Sequence, residues 1–335
     1  MKVLVFGVLL VIVLLLANSL FVGTLVPSYR ISPYVLQVLC LAGINIILAV
    51  SLNLINGFTG QFSIGHAGFM AIGAYASAFV TVTYGDRVRE ALAFLPPFGR
   101  DSVVLLLALT AGAILAAMAG FLVGVPSLRL RGDYLAIVTL GFGEIIRVMI
   151  LNIDAVGGAR GYTGISKLSN FFWIYLFASL TILIVYRIVN SSFGRTLIAI
   201  RDDEIAAEAM GVDTTRSKVI SFVVSSAMAG VGGGLFGHYL MYLHTNSFTF
   251  IKSIEIIIMI VIGGLGSITG AVLGAVLYIV LTEALRGFAQ YRMVLFALLG
   301  IVIMRVRPGG ILGHRELASF WPKRRVLPTP PAARG

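Results

Sequence analysis

The chain has 335 residues, of which 59% are hydrophobic and only 12% are charged. Soluble domains carry about 25% charged residues, so this composition excludes a water-soluble globular domain and predicts a polytopic membrane protein. The formal net charge is +11, but the basic residues are scattered between apolar runs and form no basic–aromatic cluster of the kind that binds nucleic acid. The single cysteine, Cys40, lies inside an apolar run, so neither a disulfide framework nor a cysteine metal site is predicted.

The amino-terminal segment admits two interpretations. Lys2, an apolar core and the residues Ala-Asn-Ser at 17–19 are typical of a signal peptide. The apolar run nevertheless extends over Val3–Val22, which is about 20 residues and roughly 30 Å as a helix, enough to span a bilayer. We interpret it as an uncleaved first transmembrane helix.

Further apolar runs follow in chain order. The block from Glu255 to Leu285 is cut by the glycine-rich stretch GGLGSITG at residues 263–270, so it is predicted to form two segments. The predicted fold is therefore all-α, a polytopic membrane protein with about ten transmembrane segments and glycine-rich helix breaks. After the first, the spans are Tyr34–Ile55, Ala67–Tyr84, Ser102–Val125, Tyr134–Leu151, Phe171–Val189, Val219–Leu243, Ser253–Ile262, Ile268–Leu285 and Tyr291–Met304.

The distribution of basic residues predicts the topology. With a cytoplasmic amino terminus, ten crossings place both termini in the cytoplasm, and 15 of the 25 Lys and Arg residues then fall in cytoplasmic segments. The predicted organisation is a transmembrane domain over residues 1–306, with a cytoplasmic loop at residues 190–218, and a cytoplasmic basic tail over residues 307–335. The tail ends in LPTPPAARG and is predicted to be disordered.

The loop at residues 190–218 is the one long polar insertion. Within it Ile198, Ile205 and Met210 alternate with charged residues, which predicts a short amphipathic helix that stops near Gly211. Its apolar residues are suited to fill a groove on a partner protein, while its charges orient the contact. The alternative is a solvated connecting loop.

The stretch NGFTGQFSIGHAGF at residues 56–69 places glycines and polar residues between two apolar runs. In hydrocarbon every backbone N–H and C=O needs an internal partner, so such a break is tolerated only against protein or water. Transporters use broken helices to present backbone dipoles to polar substrates. The alternative is an ordinary turn with glycines for packing. The stretches GQFSIGHAGFMAIGA and GGLGSITGAVLGA form a weak internal echo of each other.

Charged and small residues inside the apolar runs are the next candidates. Glu144 and Arg147 stand one helical turn apart and can form an ion pair, which is a functional candidate inside a membrane or a structural pair near its surface. Glu255 is interpreted as lying at the membrane interface. The glycines at residues 230–234 and 263–274 are predicted to allow close helix packing.

The chain offers little chemistry of its own. His66 and His238 have no second ligand at metal-binding spacing, so no metal site is predicted. A hydrolase that uses Ser63 and His66 is disfavoured, because no oxyanion donors are identifiable beside them. No Walker-type phosphate-binding motif is present, so an ATP-driven function would need another subunit.

The stretches NGFTGQFSIGHAGFMAIGAYASA, LRGDYLAIVTLGFGEIIRVMILN, GRTLIAIRDDEIAAEAMGVDTTRSKVISF and SFTFIKSIEIIIMIVIGGLGSITGAVLGA occur in this order between about Tyr34 and Met304. They resemble the LivM-type permeases, which are membrane subunits of bacterial ATP-binding-cassette importers for branched-chain amino acids. The resemblance implies a non-catalytic subunit of the bacterial inner membrane, surrounded by lipid and without a cofactor of its own. It further implies a LivH-type permease partner, two ATPase subunits that bind ATP and Mg, and a periplasmic substrate-binding protein.

The resemblance also implies roles for particular residues. The cytoplasmic segment would be the coupling helix, since IAAEAMG is similar to the EAA loop of importer permeases, although Ile205 stands where that pattern has glutamate. The predicted ATPase-coupling residues are Ile198, Arg201, Asp202, Asp203, Glu204, Ala206, Ala207, Glu208 and Gly211. The predicted translocation-pathway residues are Asn56, Thr59, Gln61, Ser63, His66, Glu144, Gly264, Gly266 and Ser267.

Two loops depart from the family pattern. VGGARGYTGI stands where a Gly-Gly-Pro-Asn-Gly-like loop is usual, and LHTN precedes SFTF in place of a Ser-Pro-bearing sequence. Both loops are periplasmic in the predicted topology, so the cargo stays open among branched-chain amino acids, other amino acids, urea, short amides and aromatic acids. A stand-alone secondary transporter driven by protons through Glu144 is the remaining alternative.

Overall fold

The computed structural model describes residues 13–14, 18, 32–128, 130, 132–288, 290–307, 309–311 and 313. The predicted first span, Val3–Val22, and the predicted tail, residues 307–335, lie almost entirely outside this set. Within the described residues the chain is helical, and the β-structure is one isolated bridge between Tyr162 and Leu243. The prediction of an all-α protein is confirmed for this part of the chain.

Six helices of the described chain are long and apolar enough to cross a membrane. In chain order the α-helices are α1 (Pro33–Asn53), α2 (His66–Ala91), α3 (Pro97–Ser127), α4 (Asp133–Leu151), α5 (Phe171–Val189), α6 (Ser192–Asp202), α7 (Glu204–Ala209), α8 (Thr214–Leu240), α9 (Phe250–Gly263), α10 (Ile268–Ala284) and α11 (Arg292–Val306). The six spanning candidates are α1, α2, α3, α4, α5 and α8. The predicted ranges Tyr134–Leu151 and Phe171–Val189 recur unchanged.

Local signals explain where several helices begin. The Ser32 side chain accepts a hydrogen bond from Val35 N while Pro33 occupies the first helical position of α1. Asn170 caps α5 by accepting from Trp173 N, and Asp213 caps α8 by accepting from Arg216 N. These short polar side chains satisfy N–H groups that the first helical turn leaves free.

The prediction of two separate crossings after residue 250 is not confirmed. Helices α9 and α10 are bent by 120° across the four-residue break at 264–267, so together they form one broken span or a re-entrant hairpin. Helix α9 has 14 residues, or about 21 Å of length, which is well short of a bilayer core. The described chain therefore has six spans, or seven with the bent pair. The count of ten and the side of each terminus stay predictions.

Glycines let the central helices touch backbone to backbone. A Cβ atom on Gly73 of α2 would lie 2.2 Å from Gly230 Cα of α8, and one on Gly112 of α3 would lie 2.8 Å from Gly73 O. On α9, Gly263 faces Gly270 of α10 in the same way, since a Cβ atom added to Gly263 would lie 1.9 Å from Gly270 O. The prediction that Gly230, Gly263 and Gly270 serve close helix packing is confirmed.

Helix α1 forms the centre of the bundle and packs against α5, α8 and α10. In the apolar 18-residue stretch of α1, 83% of the residues are buried, whereas in that of α4 only 22% are buried. Since both stretches are strongly apolar, α4 presents its outer face to lipid or to another subunit, while α1 is enclosed by its own chain.

Candidate functional site

The first glycine-rich break is a buried, hydrogen-bonded structure. Helix α1 continues into a single π-helical turn, Leu54–Phe58, and the chain then runs without regular structure to the start of α2. The side-chain amide of Asn56 bonds twice to the backbone of Ser63: Oδ1 accepts from Ser63 N at 3.2 Å, and Nδ2 donates to Ser63 O at 3.3 Å. Thr59 Oγ1 donates to Leu54 O at 2.8 Å, and Gln61 N donates to Ile55 O. These polar groups thereby satisfy the backbone that the break leaves free.

The beginning of α2 is held by hydroxyl groups of two other helices. His66 is only 1% exposed, and its Nε2 lies 2.9 Å from Ser51 Oγ of α1. The next residue, Ala67, donates its N–H to Ser253 Oγ of α9 at 3.0 Å. His66 is therefore a partner of Ser51 at a junction of three helices.

The two glycine-rich breaks meet, although more than 200 residues separate them in sequence. Asn53, the last residue of α1, donates from Nδ2 to Ser267 O at 2.9 Å and accepts from Gly266 N at 3.0 Å. A Cβ atom on Gly57 would lie 2.4 Å from Gly266 N. Gly264 and Gly266 have φ values of 124° and 79°, a region that favours glycine. The two breaks consequently form one joint.

A carboxyl-terminal turn closes over the second break. Ile311 N donates to Ile262 O at 3.0 Å, and a Cβ atom on Gly310 would lie 2.6 Å from Gly264 Cα. Residues just after α11 therefore pack on the joint between the two breaks.

The predicted coupling segment consists of two helices, α6 and α7, where the sequence predicts one. Asp203 lies between them in an extended conformation, and its Oδ1 accepts from Ile205 N at 2.9 Å and Ala206 N at 3.0 Å. An aspartate that caps a new helix stops the preceding one, which is why the segment divides here. The predicted end near Gly211 is confirmed, because α7 stops at Ala209 and Gly211 has a φ of 85°.

Two glutamates hold α7 on α8. Glu204 Oε2 lies 2.6 Å from Nζ of Lys218, a side chain that is only 1% exposed. Glu208 Oε1 accepts from Thr214 Oγ1 at 2.7 Å. Two large apolar side chains of α7 and its following turn point outward, since Ile205 is 68% exposed and Met210 is 84% exposed, and Glu208 is exposed beside them.

Helix α6 contacts the first break directly. Arg201 donates from Nη1 to Gly57 O at 3.3 Å, and its Nη2 forms an ion pair with Asp202 at 2.9 Å. A Cβ atom on Gly60 would lie 2.8 Å from Arg201 Cγ. Among the other predicted coupling residues, Ile198 is half-buried, Ala206 is exposed and Ala207 is buried. An unbroken series of contacts thus leads from α6 through the first break to the second.

Glu144 lies apart from this joint and has two partners. Its Oε2 accepts from Arg147 Nε at 2.7 Å, as predicted, and its Oε1 accepts from Phe250 N at 3.1 Å. Phe250 is the first residue of α9, so the carboxylate caps that helix, where negative charge is favourable. Its predicted place on the translocation pathway stays a prediction.

The two loops that depart from the family pattern contact each other. Tyr162 and Leu243 exchange both backbone hydrogen bonds, at 2.7 and 3.0 Å. The Tyr162 ring stacks on Tyr75 at 6.5 Å between centroids, and burial raises the pKa of the Tyr162 phenol. The phenol therefore stays neutral at physiological pH. The backbone hydrogen bonds between Tyr162 and Leu243 join the two loops into one surface.

Sequence reasoning missed residues that only the tertiary contacts reveal. Asn53 joins the two breaks, Lys218 anchors α7, and Lys252 pairs with Glu255 at 3.0 Å inside the bundle. The available signal was a polar residue within an apolar run, because such residues are costly in a membrane unless they have a partner or a function.

Together these features define the class of protein: a helical, multi-pass membrane protein in which two glycine-rich breaks between helices meet at one joint. The family described as "Branched-chain amino acid transport system / permease component" matches residues 34–304. The chain belongs to this family. The resemblance noted from the sequence motifs is confirmed.

Individual relatives agree with the family match. The high-affinity branched-chain amino acid transport system permease protein LivM of Escherichia coli K12 is 35% identical over 319 residues, which cover 85% of this chain and 71% of that protein. The probable branched-chain amino acid transport permease protein LivM of Methanocaldococcus jannaschii is 26% identical over 333 residues, which cover 85% of this chain and 95% of that protein. LivH of Salmonella typhimurium is 33% identical over 168 residues, with 48% and 53% covered. No solved structure matches the chain significantly.

Proposed function

We propose that this chain is one of two membrane subunits of an ATP-driven importer that carries branched-chain amino acids across a bacterial inner membrane. In this proposal a LivH-type permease is the second membrane subunit, two ATPase subunits bind ATP and Mg, and a periplasmic protein delivers the amino acid. The similarity of the chain to both LivM and LivH proteins supports a pair of related permeases.

The observation that carries the proposal is the series of contacts from the exposed end of α7 to the joint of the two breaks. Ile205 and Met210 are exposed apolar residues suited to a groove on an ATPase subunit. Arg201 links α6 to the Gly57 carbonyl, and Asn53 links that break to Ser267. Because these side chains bond to backbone oxygens of the breaks, a displacement of α6 and α7 moves both breaks together.

The partner contact in this proposal is apolar. Asp203 and Glu204 have internal partners, as the cap of α7 and as the ion pair with Lys218. Their replacement would disturb α7 itself, so a loss of uptake would not identify a contact with the ATPase. Ile205 and Met210 are free of this ambiguity.

The proposal is tested with the assembled transporter in proteoliposomes, by ATP-dependent uptake of labelled L-leucine. The double variant Ile205→Ala/Met210→Ala should lower uptake about tenfold, since truncated apolar hot spots each contribute more than 1 kcal/mol to a contact. Val306→Ala is the matched control, because Val306 is 74% exposed and lies on α11. Normal uptake by the double variant would contradict the coupling role.

The same preparation separates the alternatives. Uptake by this chain alone, without ATPases, would select a secondary transporter. Competition by urea, short amides or aromatic acids, but not by leucine, isoleucine or valine, would select a different cargo within the family.

A further inference from the structure

A partly open cavity of about 190 Å³ lies between helices of the bundle. Helices α1, α2, α8, α9 and α10 contribute its walls. Its polar wall consists of Asn45, Lys252, Glu255 and Thr282, and its apolar wall includes Ile44, Met70 and Tyr278. The cavity thus brings two opposite charges beside an apolar surface.

Among the described residues, the two charges form an ion pair that leaves much of their bonding capacity unused. Lys252 Nζ lies 3.0 Å from Glu255 Oε2 and 3.4 Å from Asn45 Oδ1, and the two charged side chains are 20% and 26% exposed. Partial burial of both ions in an apolar bundle carries a desolvation cost. Both residues lie on α9, one turn apart, so their mutual contact fastens no pair of helices. The link from this pair to another helix is the contact of Lys252 with Asn45 of α1.

Their arrangement complements a zwitterion. An ammonium group donates strong hydrogen bonds to a carboxylate, and a carboxylate accepts them from an ammonium group. A free amino acid carries both groups on one carbon atom, next to its side chain. Ile44, Met70 and Tyr278 would then face that side chain, and their chemistry fits an apolar one.

The size of the cavity limits the ligand. Pockets for drug-sized molecules measure about 300–1,000 Å³, and this cavity of about 190 Å³ is smaller. A single small amino acid is of the order of this volume.

A second cavity adjoins the first. It measures about 260 Å³ and shares Leu41 and Thr282 with the first cavity. Its walls include Tyr34, at the start of α1, and Arg286, whose guanidinium carbon lies 5.1 Å from the Tyr34 ring centroid. The Tyr34 hydroxyl donates a hydrogen bond to Glu283. Polar groups therefore line this second cavity as well.

We propose that this cavity is a binding site for a free amino acid with an apolar side chain, in which Lys252 binds the carboxylate and Glu255 binds the ammonium group. This inference rests on the proposed function, because it assigns the cargo of the permease a site within this chain. It predicts that both the carboxylate and the ammonium group of the amino acid contribute to binding here.

The test is binding of tritiated L-leucine to the full-length chain in lipid nanodiscs. Two analogues compete with it: 4-methylpentanoate, which lacks the ammonium group, and 3-methylbutylamine, which lacks the carboxylate. The double variant Lys252→Met/Glu255→Gln should bind leucine about ten- to a hundredfold more weakly, as expected for the loss of charged hydrogen bonds. The matched control is Arg89→Met/Asp101→Asn, which removes an ion pair of 3.0 Å outside the cavity and should leave binding unchanged.

Single variants provide a sharper readout. In Lys252→Met, leucine and 3-methylbutylamine should bind alike, since the carboxylate no longer contributes. In Glu255→Gln, leucine and 4-methylpentanoate should bind alike. The double variant leaves no unpaired charge, so it should fold, and its thermal unfolding checks this.

Absence of saturable leucine binding to the wild-type chain overturns the site, and so does unchanged binding in the folded double variant. ATP-dependent leucine uptake by the assembled transporter separates this result from the proposed function. Uptake by the wild type that the double variant retains in full would overturn the site alone. No uptake by the assembled wild type would overturn the proposed function.

Discussion

Two Lys–Glu ion pairs in this chain use the same chemistry in different surroundings. Lys218 and Glu204 lie 2.6 Å apart and join two helices, α8 and α7, with the lysine almost fully buried. Lys252 and Glu255 lie 3.0 Å apart on one helix, and each remains partly exposed to a cavity. The side chain of Lys218 is 1% exposed, whereas the second pair borders a cavity of about 190 Å³.

The difference shows how a polar group inside an apolar bundle acquires a role. A buried pair that bridges two helices stabilises their relative position, because removal of one partner leaves an uncompensated charge. A pair on one helix beside open space can exchange its mutual contact for contacts with a ligand. Four variants, in order of decreasing loss of stability, test this assignment of roles and the packing around it.

Replacement of Lys218 by methionine should have the largest effect. It removes the ammonium group that lies 2.6 Å from Glu204 Oε2. Breaking a buried pair costs about 3–5 kcal/mol, and we expect about 3 kcal/mol because Glu204 is partly exposed. Unfolding of the purified chain in detergent measures the loss. The double variant Lys218→Met/Glu204→Leu should recover most of it, and a single variant as stable as wild type would contradict the bridging role.

Gly57→Ala should destabilise the joint between the two breaks by about 2 kcal/mol, because the added methyl group overpacks a filled space. Its Cβ would meet Gly266 N at 2.4 Å and Asn53 Oδ1 at 2.0 Å. The measurement is the thermal unfolding midpoint of the purified variant. Gly141→Ala is the control, since nothing lies within 4 Å of that Cβ. Equal midpoints for the two variants would show that the joint is loosely packed.

Asp203→Ala should cost about 1 kcal/mol, the usual effect of a lost helix cap. It removes the acceptor for Ile205 N and Ala206 N and thereby loosens α7. Hydrogen exchange of the α7 amides should increase while that of α8 stays unchanged. Asp203→Asn, which retains an acceptor, should exchange like the wild type, and loss of protection in both variants would point to the charge instead of the cap.

The double variant Lys252→Met/Glu255→Gln should have the smallest effect on stability, less than about 1 kcal/mol, because a partly exposed pair contributes little. Its unfolding midpoint should stay close to that of the wild type. A loss as large as that of Lys218→Met would erase the difference between the two pairs and give the second pair a structural role as well.

Local sequence patterns predict much of the helix arrangement. Residues 134–151 and 171–189 are predicted with the bounds that the structure has, because an apolar run with polar ends specifies a spanning helix by itself. The break at residues 264–267 is also predicted, since consecutive glycines disfavour a continuous helix. The division of α6 from α7 is not, because Asp203 looks like one more charge on an amphipathic helix until its cap is seen.

Composition and short-range spacing are enough to predict the class of the protein, its apolar helices and its two glycine-rich breaks. The folded chain was needed to show that the two breaks meet through Asn53, that α9 and α10 fold back on each other, and that one Lys–Glu pair joins two helices while the other borders a cavity. The physical reason is that partner choice and enclosed space arise from residues far apart in the chain. The sequence shows that a charged residue lies in an apolar run and is therefore costly to bury, but the role of that residue depends on its neighbours in the fold.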